Sequence, residues 1–321
     1  MSKAVKIWLI IAASLILVGG LVFVGAMTVN GWDFSALATH EYETNDYDIP
    51  EKFTSISLKS DTSDIKLLPT EADCVKVVCR EQTNSKHSVT VNDGTLSVEY
   101  VDSRKWYEHI GIGFEDEAEI TVYLPEKEYD ALSVSTDTGD VEISNDFNFN
   151  SMDISTSTGD VENYASATGK IRIKTSTGDI DVEDISCGGL ELVVTTGDIS
   201  VSSISCEGEC SISVSTGSSE LEDVECKSFV SNGNSGDISL SSVIVSEKLS
   251  IDRDTGDISF NGCDASEIYI TTDTGDVRGS LLSAKVFITN SDTGRISVPN
   301  SIEGGRCEII TDTGDIILTV K

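Results

Sequence analysis

Basic residues, proline, histidine and aromatics are all scarce in this chain. Lys and Arg number 22 against 55 Asp and Glu in 321 residues, a net charge of -33. Nucleic acids are held by clustered Lys and Arg that displace counterions, so that class of partner is excluded, and anionic lipid headgroups are opposed by the same charge. Cations, basic proteins and neutral glycans stay open as ligands, beside the plain reading that acidity keeps an elongated surface soluble. The three histidines, His40, His87 and His109, are scattered and share no motif with a cysteine or serine. Aromatics are 6% of the chain, and Arg253, Arg278, Arg295 and Arg306 are the only arginines after Arg172. A polysaccharide-active β-helix enzyme, the alternative function, would need more of both residue types. Carboxylate pairs are so abundant that glycosidase-like spacing arises by chance. No catalytic residue is assigned, and the chain reads as non-enzymatic.

Long apolar runs are absent too, except for one. Residues 7–29 carry no charge, which is enough to cross a bilayer. Lys3 and Lys6 precede the run and acidic residues follow it, so the positive-inside rule puts residues 1–6 in the cytoplasm and the rest outside. The expectation is a single-pass signal anchor in the cell membrane. A signal peptide cut near Gly25-Ala26 is the competing reading.

What is present is a repeat. A Thr-Gly-Asp signature recurs with glycine at 139, 159, 178, 197, 217, 236, 256, 275, 294 and 314, at intervals of 19 or 20 residues. So regular a period means a solenoid. Ser235 replaces the threonine once; Ser218 and Arg295 replace the aspartate. Two residues after each glycine stands Val or Ile, except at Ser219, and alternation around it is that of short strands buried on one face. With four prolines and no 3.6-residue periodicity after Phe53, helical repeats are excluded. The fold class is all-β: a parallel β-helix, or β-solenoid, of 19- to 20-residue coils, expected to be right-handed. Glycine supplies the positive φ of the corner, and Asp and Thr side chains are expected to cap local backbone groups.

Residues 131–321 hold the regular repeats and 30–52 read as a stalk. Residues 53–130 read as degenerate coils and a cap, because Asp61-Thr62-Ser63-Asp64-Ile65 repeats the corner with Ser63 four periods of 19 before Gly139. On that count about fourteen coils form a rod roughly 65 Å long. A loop is expected around Trp106.

The chain resembles a bacterial family of "putative adhesin" proteins with β-strand repeats, the domain-of-unknown-function family 4097. The likeness rests on the N-terminal span, Glu41-Tyr42-Glu43 to Phe53-Thr54-Ser55-Ile56, the Asp61 to Ile65 corner, Asp93-Gly94-Thr95-Leu96, the Ile120 to Pro125 strand and the Thr-Gly-Asp array. It implies a surface-exposed, non-enzymatic binding or adhesion module of the bacterial envelope, in some members associated with envelope-stress sensing. With so short a cytoplasmic tail, a sensor would need a membrane signalling partner.

Cys187, Cys206 and Cys226 each lie nine residues after their glycine, in a column continued by Val245, Ala265 and Ala284. Stacked neighbours are within disulfide reach, yet three thiols cannot all pair. Buried free thiols, one disulfide or a metal site remain open. Cys210 and Cys307 share a second inward column with Ile171 and Leu190. The corner aspartates form an acidic edge, joined by a second acid in later coils: Asp254 with Asp257, Asp273 with Asp276. Those four are the weak candidates for a metal, calcium being the cation that suits carboxylates. No cofactor is otherwise assigned. Finally, the strand 316–320 follows the tenth corner with no cap, so an open edge there, guarded by Lys321, is expected to accept a partner strand.

Overall fold

The computed structural model describes residues 2–29, 31–32, 42–72, 74–102 and 118–321. His40, His109 and the loop around Trp106 lie outside the described residues. Helix α1 (Lys3–Val29) is long and apolar enough to span a membrane, and none of its 18-residue apolar window is buried.

From Glu128 onward the chain is a parallel β-solenoid. Alternate residues point inward and stack in register: Val134, Ile154, Ile173, Leu192 and Ile212 form one column, and Val141, Val161, Ile180 and Ile199 another. All are buried, each contributing about 1.5–3 kcal/mol of apolar burial. Successive coils share these columns, which is why the repeat can tolerate almost any outward residue.

At most corners the glycine amide donates to the threonine carbonyl of the adjacent coil, as in Gly159 N to Thr177 O at 2.9 Å, with Ser235 O taking that place for Gly217. Gly197 has φ 141°, and a Cβ there would sit 2.1 Å from the Gly178 carbonyl oxygen. Backbone conformation and close approach both demand glycine. The expected capping differs in detail. In four coils a threonine three residues before the glycine, Thr136, Thr156, Thr175 or Thr311, bonds the corner: Thr175 Oγ1 donates to Thr177 O at 3.2 Å and to Gly159 O at 3.1 Å.

The N-terminal part departs from simple stacking. Its strands are β1 (Tyr42–Ile49), β2 (Ser55–Lys59), β3 (Ser63–Thr70), β4 (Val75–Gln82), β5 (Ser85–Asn92), β6 (Thr95–Asp102) and β7 (Ala118–Pro125), before β8 (Glu128–Thr138) and β9 (Val141–Ile143). β2 and β3 lie directly against β8 and β9, so Ser63 stacks on Gly139 as its immediate neighbour rather than four coils away. The spacing of four periods is coincidence. β6 and β7 form the next layer out, and β1, β4 and β5 add to it antiparallel, as a cap. Tyr42–Ile49, read from the sequence as stalk, is thus a paired strand. About ten regular coils remain instead of fourteen, a rod closer to roughly 50 Å.

The other end is also out of chain order. Residues 305–320 are inserted between the coil 258–281 and the coil 285–297. The strand 316–320, expected to be an open edge, pairs along its length with 277–281, and Ile316 and Ile317 also pair with Ile296 and Ser297 on the other side; the outermost layer is 285–297. Composition explains the choice: Cys307, Ile309, Ile316 and Leu318 are buried, whereas in the outer coil Thr289 stands opposite Ile309 and Ile296, opposite Ile316, is exposed. Ala284, expected in the cysteine column, is exposed, because the chain leaves the stack there to skip a layer.

Three breaks in the inward columns meet at one residue. Ser219, Ser231 and Gly233 surround the side chain of Arg253, which is 1% exposed. Its Nη2 donates to Ser219 Oγ (3.3 Å) and Ser231 Oγ (3.2 Å), and Nε and Nη1 have no partner. Removing an unpaired buried charge while keeping volume is worth about 1–4 kcal/mol. Arg253→Met is accordingly expected to raise the melting temperature; a fall in calorimetry would show that the guanidinium is compensated.

Candidate functional site

The acidic edge is occupied by the fold itself. Asp140 Oδ1 accepts the Asp160 amide, Asp160 Oδ1 that of Asp179, and Asp179 Oδ1 that of Asp198, at 2.7 to 2.8 Å. The same contact recurs from Asp257 to the Asp276 amide and from Asp276 to the Asp315 amide. Of the four metal candidates, Asp257 and Asp276 thus serve as coil-to-coil caps, Asp276 also pairing with Arg278. Asp254 and Asp273 are exposed and sit three residues before them. Amide donors offset the repulsion of stacked carboxylates.

A second corner, six residues after the glycine, carries Asp184, Ser203, Asp223 and Ser242, all with φ between 52° and 57°. This is uncommon for side chains other than glycine. The repeated bend opens a shallow groove of about 590 Å³ along the stack, lined by Ser186, Ser205 and Glu225 with Ile185 and Ile204 beneath. It runs across successive coils, and its lining is hydroxyl, carboxylate and aliphatic.

The cap holds a different arrangement. Cys79, Glu81 and His87 are buried, and a ligand atom of each lies within 4.8 Å of the others. Cys79 and Glu81 are alternate residues of β4, so both face inward, and the turn into β5 brings His87 opposite them. Glu81 Oε2 accepts from the His87 backbone N–H (2.6 Å) and faces its Nδ1 (2.8 Å); Glu81 Oε1 accepts from Asn45 Nδ2 (2.8 Å). His87 Nε2 faces Ser60 Oγ at 3.3 Å. Burial pushes the Cys79 thiol up to about 12, with the Glu81 carboxylate adding to it.

The sequence profile described as Toastrack DUF4097 matches residues 53–214 and 207–321. The chain belongs to the Toastrack DUF4097 family. Among solved structures it is similar to a "putative lipid binding protein" from Parabacteroides distasonis, at 17% identity over 88% of this chain and 98% of that one, with a TM-score of 0.47. A "putative adhesin" from Bacteroides fragilis is 16% identical over 75% and 96% (TM-score 0.42), and one from Parabacteroides merdae 12% identical over 76% and 97% (TM-score 0.47). No curated protein matches the chain.

The Toastrack match begins at residue 53, so it includes Cys79, Glu81, His87 and Ser60 but neither Asn45 nor the apolar helix. Reading the histidines as isolated missed this cluster. The signal in the sequence was Glu81, an acid continuing the inward column Val75, Val77, Cys79. The expected cysteine columns are present: Cys187, Cys206 and Cys226 stack in register, as do Ile171, Leu190 and Cys210, and all eight cysteines are free thiols.

Proposed function

We propose that this Toastrack protein is a non-enzymatic binding module, tethered to the cell membrane by its N-terminal helix, whose solenoid lies outside the cytoplasm. The observation that carries this reading is the second-corner groove, which repeats along the stack and offers hydroxyls and carboxylates over an aliphatic floor. Such a lining suits an extended, hydroxyl-rich or basic polymer of the cell envelope, and the net charge of -33 disfavours an acidic one. Lys3 and Lys6 ahead of the span support the orientation. The tether and rigid stack also suit envelope-stress sensing through a membrane signalling partner.

The test is co-sedimentation of the full chain, in nanodiscs, with insoluble cell-wall polysaccharide. Ser186→Trp and Ser205→Trp, both at exposed groove positions, are expected to weaken binding at least about tenfold. Retention by both variants would remove the groove from the reading, and shortening of the polymer by the wild type would favour the enzyme alternative.

A further inference from the structure

The buried cluster in the cap has the composition of a metal centre. We propose that Cys79, Glu81 and His87 bind one divalent transition-metal ion, zinc by its donor set. Thiolate, imidazole and carboxylate are the three side-chain ligand types zinc takes, and three protein ligands leave a fourth position for water or another donor. The three converge without exposure: Cys79 is 0%, Glu81 1% and His87 5% accessible.

The outer contacts are those that a metal site requires. Ligating carboxylates and imidazoles are held by hydrogen bonds on their far atoms. Asn45 Nδ2 holds Glu81 Oε1, leaving Oε2 directed at His87. Ser60 Oγ faces His87 Nε2, leaving Nδ1 on the inner side with Glu81.

Zinc binds Nδ1 of a neutral imidazole, whose single ring proton then resides on Nε2 and is donated to Ser60 Oγ. The Cys79 thiol releases its proton to solvent as the sulfur–zinc bond forms, and Glu81 ligates as the carboxylate. Two negative ligands balance the dication, so the filled site buries no net charge. The free thiol, pushed up to about 12, stays protonated at neutral pH until a cation displaces that proton.

Ser60, His87 and Glu81 also stand in the order of a hydrolase triad. That reading leaves Cys79 without a role. The Ser60 backbone N–H, a natural oxyanion donor, is already engaged with Ser135 O at 2.9 Å.

The experiment uses the full chain in detergent micelles, stripped with chelator, in a Cys74→Ser background because Cys74 is the exposed cysteine. Titration with zinc, and separately with cobalt, is expected to give about one metal per chain. About one proton should be released per zinc at neutral pH, and cobalt should show a near-ultraviolet thiolate charge-transfer band. Cys79→Ser and His87→Gln are expected to abolish the band, and Ser60→Ala to weaken affinity about 10- to 100-fold. No uptake by the parent protein at micromolar zinc overturns the proposal without reference to any variant's folding, as does a band that survives in Cys79→Ser. Labelling of Ser60 by a fluorophosphonate in metal-free protein, undiminished by Cys79→Ala, would overturn it in favour of hydrolysis. Neither readout depends on polymer binding by the groove.

Discussion

Gly197→Val is expected to destabilise the solenoid by about 4 kcal/mol, the sum of a forbidden backbone angle and a collision. Valine cannot adopt φ 141° without strain, and its Cβ would lie 2.1 Å from the Gly178 carbonyl oxygen and 2.9 Å from Asp179 Oδ1. Neither neighbour can give way, because that carbonyl is backbone and the carboxylate holds the Asp198 amide. Gly94→Ala separates the two causes. Gly94 has φ 76°, and a methyl group added there would meet nothing within 4 Å, so only strain applies, about 1 kcal/mol. Equal losses in the two variants, measured by calorimetry, would refute the steric half of the account.

Truncation after residue 304 is expected to release the end of the rod. The inserted segment 305–320 buries Cys307, Ile309, Ile316 and Leu318, side chains worth about 2 kcal/mol each, and supplies both neighbours with a strand partner. Without it, 285–297 loses its ladder and the coil 258–281 exposes an unpaired edge, which invites association. Hydrogen exchange should show loss of protection across 285–297, and light scattering should show oligomers. Retained protection would mean that 285–297 docks directly on 258–281 in chain order, and that the inserted layer is dispensable.

These two sites mark where sequence reasoning succeeds and where it stops. The corner is local: Gly197 and its flanking Thr and Asp recur at a spacing that permits only stacked coils, so the parallel solenoid and the columns of Cys187 and Leu190 are legible from the chain alone. The layer order at the ends is not. Ser63 and residues 305–320 each carry the repeat pattern, but the pattern states only that a coil stacks, not upon which neighbour. At the C-terminal end burial decides that, the more apolar 305–320 lying inside 285–297; at the N-terminal end both layers are buried, and the antiparallel β4 and β5 cover the outer one.

The same division holds for chemistry. The acidity of the chain and the repeat positions of its aspartates were both visible in the sequence, because charge is additive along a chain and the corner recurs at a fixed spacing. The role of that edge needed the structure, since the aspartates bond amides of the adjacent coil, 19 or 20 residues away along the regular stack and 39 away where Asp276 meets the inserted Asp315. Arg253 was visible as a residue but not as a buried one; Ser219, Ser231 and Gly233 make its space from two other coils. By itself the sequence determined the period, the strand alternation and the apolar span, all properties of residues near one another in the chain. Only the tertiary structure decided the order of the end layers, the second-corner groove and the meeting of Ser60 with Cys79, Glu81 and His87, because each depends on contacts between strands that chain spacing leaves free.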